Sequence, residues 1–185
     1  KKIAVHSQSF HADDCLAIYF LQQTNEFKDA TYVRTRDPEI INQCDAAVDV
    51  GFIYDHEKRR YDHHQPDFNL CFPNSKIPLS SCGLVYLHFG KEINKNIIEK
   101  HGKEAEKYSD IIYNALYDMF VKEIDANDNG KSPFPANTEL KYKIHTSISE
   151  RIAMMNSIGT FEDAIKLIGS EYESRLMRYV ECDVP

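Results

Sequence analysis

Apolar runs and helical patterns alternate along the first fifty residues. Residues 3–6, 31–35 and 46–50 have the composition of β-strands, and Gly51 ends the last, buried one. Between the first two strands, residues 13–23 place apolar side chains at helical spacing, and Pro38 is suited to open a short helix. Strands that alternate with helices predict an α/β fold with a parallel sheet flanked by helices.

The rest of the chain is patterned mainly as helix. Ser80 or Ser81 is placed to cap one helix, and an apolar stripe predicts a longer one over residues 104–124. Residues 125–138 predict a turn-rich loop, and the stripe returns over residues 161–180. We therefore expect a helical C-terminal half whose helices cover the sheet.

Composition narrows the class of protein. The 185 residues, 42% of them hydrophobic, suffice for one sizeable folded domain spanning residues 1–185. Five scattered cysteines without a CxxC pair suggest neither disulfides nor a thiolate zinc site, which favours an intracellular location. No apolar stretch approaches the ~20 residues that span a bilayer, so we expect no membrane partner.

The net charge of -7 argues against a broad nucleic-acid surface, because phosphate binding draws on clustered Lys and Arg. It still allows a narrow site charged by metal ions, because two bound divalent cations would change the net charge from -7 to -3.

Histidine and aspartate are concentrated where the predicted strands and the long helix end. Four clusters contain His6, His11 and Asp13; Asp49; Asp62, His63 and His64; and Asp125 with Asp128. Taken singly, each has an ordinary explanation as a turn, a cap or a partly buried histidine. Together they favour a site for Mn, Zn, Fe or Mg, in which carboxylates bridge two ions about 3.5–4 Å apart.

The fourth cluster also matches a different metal site. Spacing from Asp125 to Gly130 fits the start of an EF-hand calcium loop. However, Ala136 stands where that loop needs a bidentate Glu, and Pro133 and Pro135 obstruct the helix that should follow. Calcium binding is therefore the weaker interpretation.

Six motifs in order give the chain a family resemblance. They are Phe10-His11-Ala12-Asp13, residues 33–39, Val48-Asp49-Val50-Gly51, Tyr61-Asp62-His63-His64-Gln65, residues 79–90 and residues 124–130. With them the chain resembles the DHH phosphoesterase superfamily and, within it, the melanocyte-proliferating-gene protein family. Members are described as metal-dependent protein hydrolases or as 3'-to-5' RNA exonucleases of the nucleus and mitochondria. The resemblance implies a Rossmann-like DHH domain, two divalent ions (Mn or Mg), and a second family domain absent from this chain.

The resemblance also implies a role for each motif residue. The metal ligands it implies are His6, His11, Asp13, Asp49, His63 and Asp128, with Asp125 as a rival to Asp128. Asp49 would bridge the ions, Asp62 would support His63, and His64 would face the phosphate.

Two arginines are further candidates for the phosphate. Arg34 and Arg36 alternate on one predicted strand, where they would hold the phosphate or form a solvated edge. Tyr54, Tyr61 and Phe68 flank the histidine cluster, with Phe72 nearby, and would stack bases or, as we favour, pack in the core.

The sequence therefore predicts a metal-dependent phosphoesterase, a 3'-to-5' exonuclease of single-stranded RNA in which two ions activate a water. One alternative is a hydrolase of small phosphate compounds such as a dinucleotide or pyrophosphate. Another is a non-catalytic binding module stabilised by metal. The oligomeric state is left open.

Overall fold

The computed structural model describes residues 1–184, in which a five-stranded sheet is flanked by helices on both faces, as the sequence predicts. The strands are β1 (Lys2–Val5), β2 (Thr31–Arg34), β3 (Ala46–Val48), β4 (Tyr54–Asp55) and β5 (Arg60–Tyr61). Their order across the sheet is β2-β1-β3-β5-β4, and all neighbours are parallel except β4, which pairs antiparallel with β5 at one edge.

Helices form two unequal layers around this sheet. The α-helices are α1 (Ala12–Gln22), α2 (Pro38–Gln43), α3 (Ser81–Lys100), α4 (Ser109–Leu116), α5 (Lys122–Asp128), α6 (Ile148–Ile158) and α7 (Phe161–Arg178). The main core joins β1, β3 and β5 to α1, α3 and α7, whereas α2 covers the opposite face of the sheet through Ile41. Within residues 1–184, no helix is long and apolar enough to span a bilayer.

Local sequence explains the helix starts that were predicted. Pro38 occupies the first turn of α2, and the side chain of Asp37 accepts a hydrogen bond from the Glu39 amide at 2.9 Å. Ser80 precedes α3 as expected, but its hydroxyl does not cap its own helix. That hydroxyl instead contacts the buried carboxylates of Asp13 and Asp125.

The predicted loop after the long helix is wrong at its start. A π-helical turn at Tyr117–Val121 joins α4 to α5, and the helix ends at Asp128. Gly130, two residues later, has a φ of +68°, which is not helical. Asp125 and Asp128 therefore lie three residues apart on one helix, where their side chains are neighbours. A helical backbone over residues 122–128 is not an EF-hand loop, so the geometry removes that interpretation.

Two elements escaped the sequence patterns. The β4–β5 hairpin has strands of two residues each and is rich in charge, so it lacks the apolar alternation that marks a strand. Helix α6 buries only Ile152, and such a weak apolar face gives no helical stripe.

A histidine of the hairpin stacks on a histidine of α3 at the edge of the sheet. The rings of His56 and His88 lie 3.7 Å apart and nearly parallel, and His88 Nε2 is 2.6 Å from the hydroxyl of Tyr54. Burial, together with the nearby His56 and Arg59, lowers the pKa of His88 from 6.5 to about 4. The folded protein therefore binds fewer protons here than the unfolded chain between these two values.

We expect this pair to make the protein sensitive to acid. Because the pKa of His88 is lowered on folding, its contribution to stability is present above pH 6.5 and is lost as the pH falls towards 4. Replacing His88 with Gln should reduce the acid-induced loss in Tm by about 1–3 °C, since a half-exposed group is screened by solvent. Thermal melts from pH 7 to 4 test this, with His145→Gln in the exposed α5–α6 loop as the control. Parallel profiles for wild type and His88→Gln would contradict it.

Candidate metal centre

Three neighbouring parallel strands end at the same level. Val5 of β1 pairs with Val48 of β3, and Val48 pairs with Tyr61 of β5. The residues that follow, His6, Asp49 and Asp62, therefore emerge side by side at the carboxyl edge of the sheet, where open α/β sheets bind ligands. The strand register, more than any local motif, brings the separate clusters together.

The first group of converging side chains contains Asp13, Asp49, His63 and Asp128. One ligand atom from each lies within 4.8 Å of all the others. His63 Nε2 is 2.8 Å from Asp128 Oδ2, 3.4 Å from Asp49 Oδ1 and 3.9 Å from Asp13 Oδ2. Three carboxylates and one imidazole from four different segments surround one point.

The donor set of this group fits a divalent ion. His63 Nε2 is buried, and within residues 1–184 none of its short approaches to carboxylates has the alignment of a hydrogen bond. Buried polar atoms are normally hydrogen-bonded, so an unpartnered nitrogen among carboxylate oxygens indicates a place suited to a cation. Imidazole with carboxylates suits Mn, Zn, Fe or Mg.

A second group adjoins the first and contains His6, His11 and Asp14, again with ligand atoms within 4.8 Å of one another. His6 Nδ1 lies 3.0 Å from the carbonyl oxygen of Ser7, to which it donates, so its Nε2 faces the carboxylates of Asp14 at 3.0 Å and Asp49 at 3.2 Å. A second-nitrogen contact of this kind orients many metal-binding histidines. Asp49 thus lies between the two groups.

Asp14 was missed as a site residue by the sequence analysis. One of its oxygens accepts the His11 amide at 2.7 Å. The other, Oδ2, is buried 3.0 Å from His6 Nε2 but without the alignment of a hydrogen bond within the described residues. The only signal in the sequence was a second acid directly after Asp13, which also fits the acidic first turn of an ordinary helix.

The N-terminus of α3 anchors Asp13. Its Oδ1 accepts the Cys82 amide at 2.7 Å and the Ser80 hydroxyl at 2.7 Å, and its Oδ2 lies 3.3 Å from the Ser81 amide. A carboxylate is stabilised at a helix N-terminus by the free amides and the helix dipole. Asp13 therefore caps a helix nearly seventy residues away in the chain, which local sequence cannot show.

Asp125 is not brought to either group. It is fully buried beside α3, where it accepts the Ser80 amide at 2.9 Å, the Ser80 hydroxyl at 2.6 Å and the Tyr117 hydroxyl at 2.8 Å. Of the two rival aspartates on α5, the structure places Asp128 against His63 and Asp125 behind Asp13. Asp125 positions the α3 N-terminus.

His64 and Asp62 form a pair at the open side of the centre. His64 Nδ1 lies 2.6 Å from Asp62 Oδ1, and half of the His64 side chain is exposed. Asp62 also accepts the amides of His63 at 2.8 Å and Phe52 at 2.7 Å. Asp62 therefore supports His63 through its backbone, and the imidazole it orients is that of His64.

Protonation in this group is set by competing effects. Burial would lower the pKa of His63, but the adjoining carboxylates of Asp128 and Asp49 outweigh it and raise the pKa to about 11. Burial also opposes the charged form of His6, yet Asp14 and Asp49 raise its pKa to about 10. Burial opposes ionisation of Asp49, yet the two histidines lower its pKa. Protons on the histidines therefore balance the carboxylates.

The pKa values of Asp13 and Asp125 are raised, in contrast to that of Asp49. Burial, with Asp128 and Asp49 nearby, raises the pKa of Asp13 well above its ordinary value. Burial also raises the pKa of Asp125 to about 6. A single Ser80 hydroxyl hydrogen lies between these two carboxylates and serves only one at a time, which is consistent with a shared proton.

A cavity of about 850 Å³ opens over the two groups. Its lining includes His6, His11, Asp13, Asp49 and Asp128, together with His64 and Arg36. The Arg36 guanidinium lies 3.3 Å from the carbonyl oxygen of Ser7. Volumes of this size are typical of sites for small molecules or single nucleotides.

Arg34 is not among the residues that line the cavity. Its guanidinium packs over the rings of Phe10 and Phe161, at 5.6 and 4.8 Å from their centres, and donates to the carbonyl oxygen of Gln8. The structure therefore brings Arg36, but not Arg34, to the candidate site. Arg34 instead holds the loop between β1 and α1.

The aromatic residues singled out in the sequence lie mainly in the core. Tyr61 and Phe72 are buried, and Tyr54 and Phe68 are partly buried and pack edge to face. This confirms the core interpretation. The aromatic ring that lines the cavity is Phe52, which the sequence analysis did not consider.

The fold and site define an α/β protein with a carboxylate and imidazole centre at the carboxyl edge of its parallel strands. A family model described as "Uncharacterised protein family (UPF0160)", the MYG1 exonuclease family, matches residues 2–185. The chain therefore belongs to this family. No solved structure matches the chain.

Curated relatives match nearly the whole chain. It is 36% identical to the MYG1 protein of Dictyostelium discoideum, with 99% of this chain and 58% of the relative covered. It is 38% identical to the MYG1 exonuclease of Mus musculus and 36% to that of Homo sapiens, with 100% of this chain and 52% of each relative covered. The chain spans about half the length of the curated relatives it matches.

Proposed function

We propose that this chain carries the metal centre of a DHH-type phosphoesterase that hydrolyses phosphodiester bonds of single-stranded RNA. The observation that carries the proposal is the convergence of Asp13, Asp49, His63 and Asp128 around the unpartnered Nε2 of His63. The exonuclease names of the mammalian relatives support a nucleic-acid substrate. The 3'-to-5' direction and the two-ion requirement belong to the same proposal.

Two adjoining ligand groups suit two divalent ions that share Asp49. His63, Asp13 and Asp128 would hold one ion with Asp49, and His6, His11 and Asp14 would hold the other. Bound Mn²⁺ or Mg²⁺ would supply Lewis acidity, a lowered pKa for attacking water and neutralisation of phosphoryl charge. The helix N-terminus of α3 keeps the Asp13 carboxylate fixed before any ligand arrives.

His64 and Arg36 are the residues suited to the phosphate. The hydrogen bond to Asp62 raises the pKa of His64, so its imidazole stays protonated to a higher pH, and about half of the side chain is exposed. A protonated His64 would donate a proton or a hydrogen bond to the leaving oxygen. Arg36 would pair with a non-bridging phosphate oxygen.

Elemental analysis followed by product analysis tests this proposal. The purified chain is assayed for bound metal and then incubated with single-stranded RNA, single-stranded DNA, a dinucleotide and pyrophosphate, each with Mn²⁺ or Mg²⁺. Successive release of mononucleotides from the RNA 3' end would support the proposal. Cleavage of the small phosphates alone would favour a small-molecule hydrolase, and bound metal without turnover would favour a binding module. Absence of metal under all conditions would contradict the central claim.

Metal binding should release protons. His6 and His63, with pKa values of about 10 and 11, are protonated at neutral pH and must lose their protons to bind an ion. We expect release of at least two protons as the two ions bind, and weaker binding as the pH falls. Calorimetry with Mg²⁺ in buffers of different ionisation enthalpy measures this number. His63→Gln should lower it by about one, and heats that do not depend on the buffer would count against the proposal.

A further inference from the structure

The cavity has apolar lining residues as well as charged ones. Pro38, Ile41, Val50, Phe52 and Ile53 line it. Phe52 is 70% exposed and Ile53 is 49% exposed. A large, exposed aromatic residue in the lining of a charged site is unusual, because burial of such a ring is favourable.

The backbone of Phe52 adopts a conformation that disfavours its side chain. Its φ is +60°, in the left-handed region that glycine occupies readily and bulky residues avoid. The strain continues a tight turn in which Asp49 has a φ of +53° and Gly51 a φ of +95°. A strained, exposed aromatic residue contributes little to the core, so its presence beside the site indicates a functional role.

The turn holds the Phe52 ring close to the phosphate-facing residues. The Phe52 amide donates to Asp62 Oδ2 at 2.7 Å, and the Asp62 amide donates to the carbonyl oxygen of Ile53 at 3.0 Å. Asp62 also holds His64, whose ring centre lies 6.5 Å from that of Phe52. One buried carboxylate therefore fixes both the imidazole of His64 and the backbone of Phe52.

We propose that Phe52 is a stacking platform for a nucleobase of the substrate, next to the phosphodiester at the metal centre. This inference rests on the proposed phosphoesterase function and specifies its substrate as a nucleotide chain with bases. A nucleobase offers a flat π-face that stacks on an aromatic side chain regardless of base identity. Arg36 and Arg60 line the same cavity, and their positive charges complement the negative charges of the flanking phosphates.

A tryptophan probe tests the stacking directly. The chain has no tryptophan, so Phe52→Trp introduces a single indole whose fluorescence is quenched when a base stacks on it. Tyr142→Trp is the matched control, since Tyr142 is 76% exposed and does not line the cavity. Each variant is titrated in Mg²⁺ with phosphorothioate trinucleotides of RNA, of DNA and of a base-free backbone.

We expect the RNA trinucleotide, the DNA trinucleotide or both to quench the fluorescence of the Phe52→Trp variant, and the base-free backbone to bind it at least about 5-fold more weakly. Quenching by the RNA trinucleotide alone would mean that the site accepts only ribonucleotides. Quenching by both would mean that the base is recognised whichever sugar carries it. Equal quenching by the base-free backbone, or equal quenching of the Tyr142→Trp control, would overturn the proposal.

A second variant measures the consequence for catalysis. Phe52→Gly suits a φ of +60°, so we expect the fold and Tm to be retained. Its preference in kcat/KM for an intact over a base-free trinucleotide should fall by about 5- to 100-fold. An unchanged preference in Phe52→Gly would overturn the role of Phe52, whereas turnover by the wild type would still support the proposed phosphoesterase function. Failure of the wild type to hydrolyse any phosphodiester would instead overturn the proposed function.

Discussion

Asp49→Asn should abolish turnover, with a loss of about 10³-fold or more in kcat. The Asp49 carboxylate lies between the two ligand groups, 3.2 Å from His6 Nε2 and 3.4 Å from His63 Nε2, so in the proposed centre it would contribute to both. An amide has no negative charge with which to share two cations. Asparagine also tolerates the left-handed region, so it suits the φ of +53° where alanine would add strain.

The thermal melt separates loss of metal from loss of fold. Wild-type protein should gain about 5–10 °C in Tm when Mn²⁺ is present at about 100 times its Kd. Asp49→Asn should lose most of this gain relative to its own metal-free form, and that form should melt below the metal-free wild type, because the protonated His6 and His63 lose a buried carboxylate partner. Asp67→Asn is the matched control, since Asp67 is an exposed aspartate with a φ of +62°. A full metal-induced gain in Asp49→Asn would contradict the role of Asp49.

The strands and helices that form the first half of the fold could be predicted because their signals are local. The apolar runs near β1, β2 and β3 mark buried strands, and Pro38 marks the start of α2. The clustering of His6 and Asp49 could also be anticipated, since each lies at the end of a predicted strand and parallel strands end at one edge. The strand β5, which leads to His63, was not predicted.

Sequence reasoning failed where the deciding contacts are distant in the chain. Asp13 is fixed by the N-terminus of α3, and Asp125 is diverted from the centre by Ser80 and Tyr117. Neither contact leaves a pattern within a short window. Phe52 was missed for another reason, because its importance comes from a backbone φ and an exposure that only the folded turn defines.

Gly83→Ala should destabilise the protein by about 2–3 kcal/mol, even though alanine favours a helix by about 1 kcal/mol over glycine. Gly83 lies in the first turn of α3, and a methyl group there would overlap both carboxylate oxygens of Asp125. Asp125 is fully buried and accepts hydrogen bonds from Ser80 and Tyr117, so it has no room to withdraw without leaving these donors unpaired. We expect Tm to fall by about 5–10 °C.

A double-mutant cycle with Asp125→Ala isolates this clash. Removing the Asp125 carboxylate frees the space at Gly83, so Gly83→Ala in that background should be neutral or stabilising, with a coupling energy of about 2–3 kcal/mol. Because Ser80 and Cys82 of the same turn also hold Asp13, displacement of the turn by Gly83→Ala should weaken Mn²⁺ binding as well. Additive effects of the two substitutions would contradict the contact. Such a result would mean that the α3 N-terminus adjusts to the methyl group and that Asp125 does not position it.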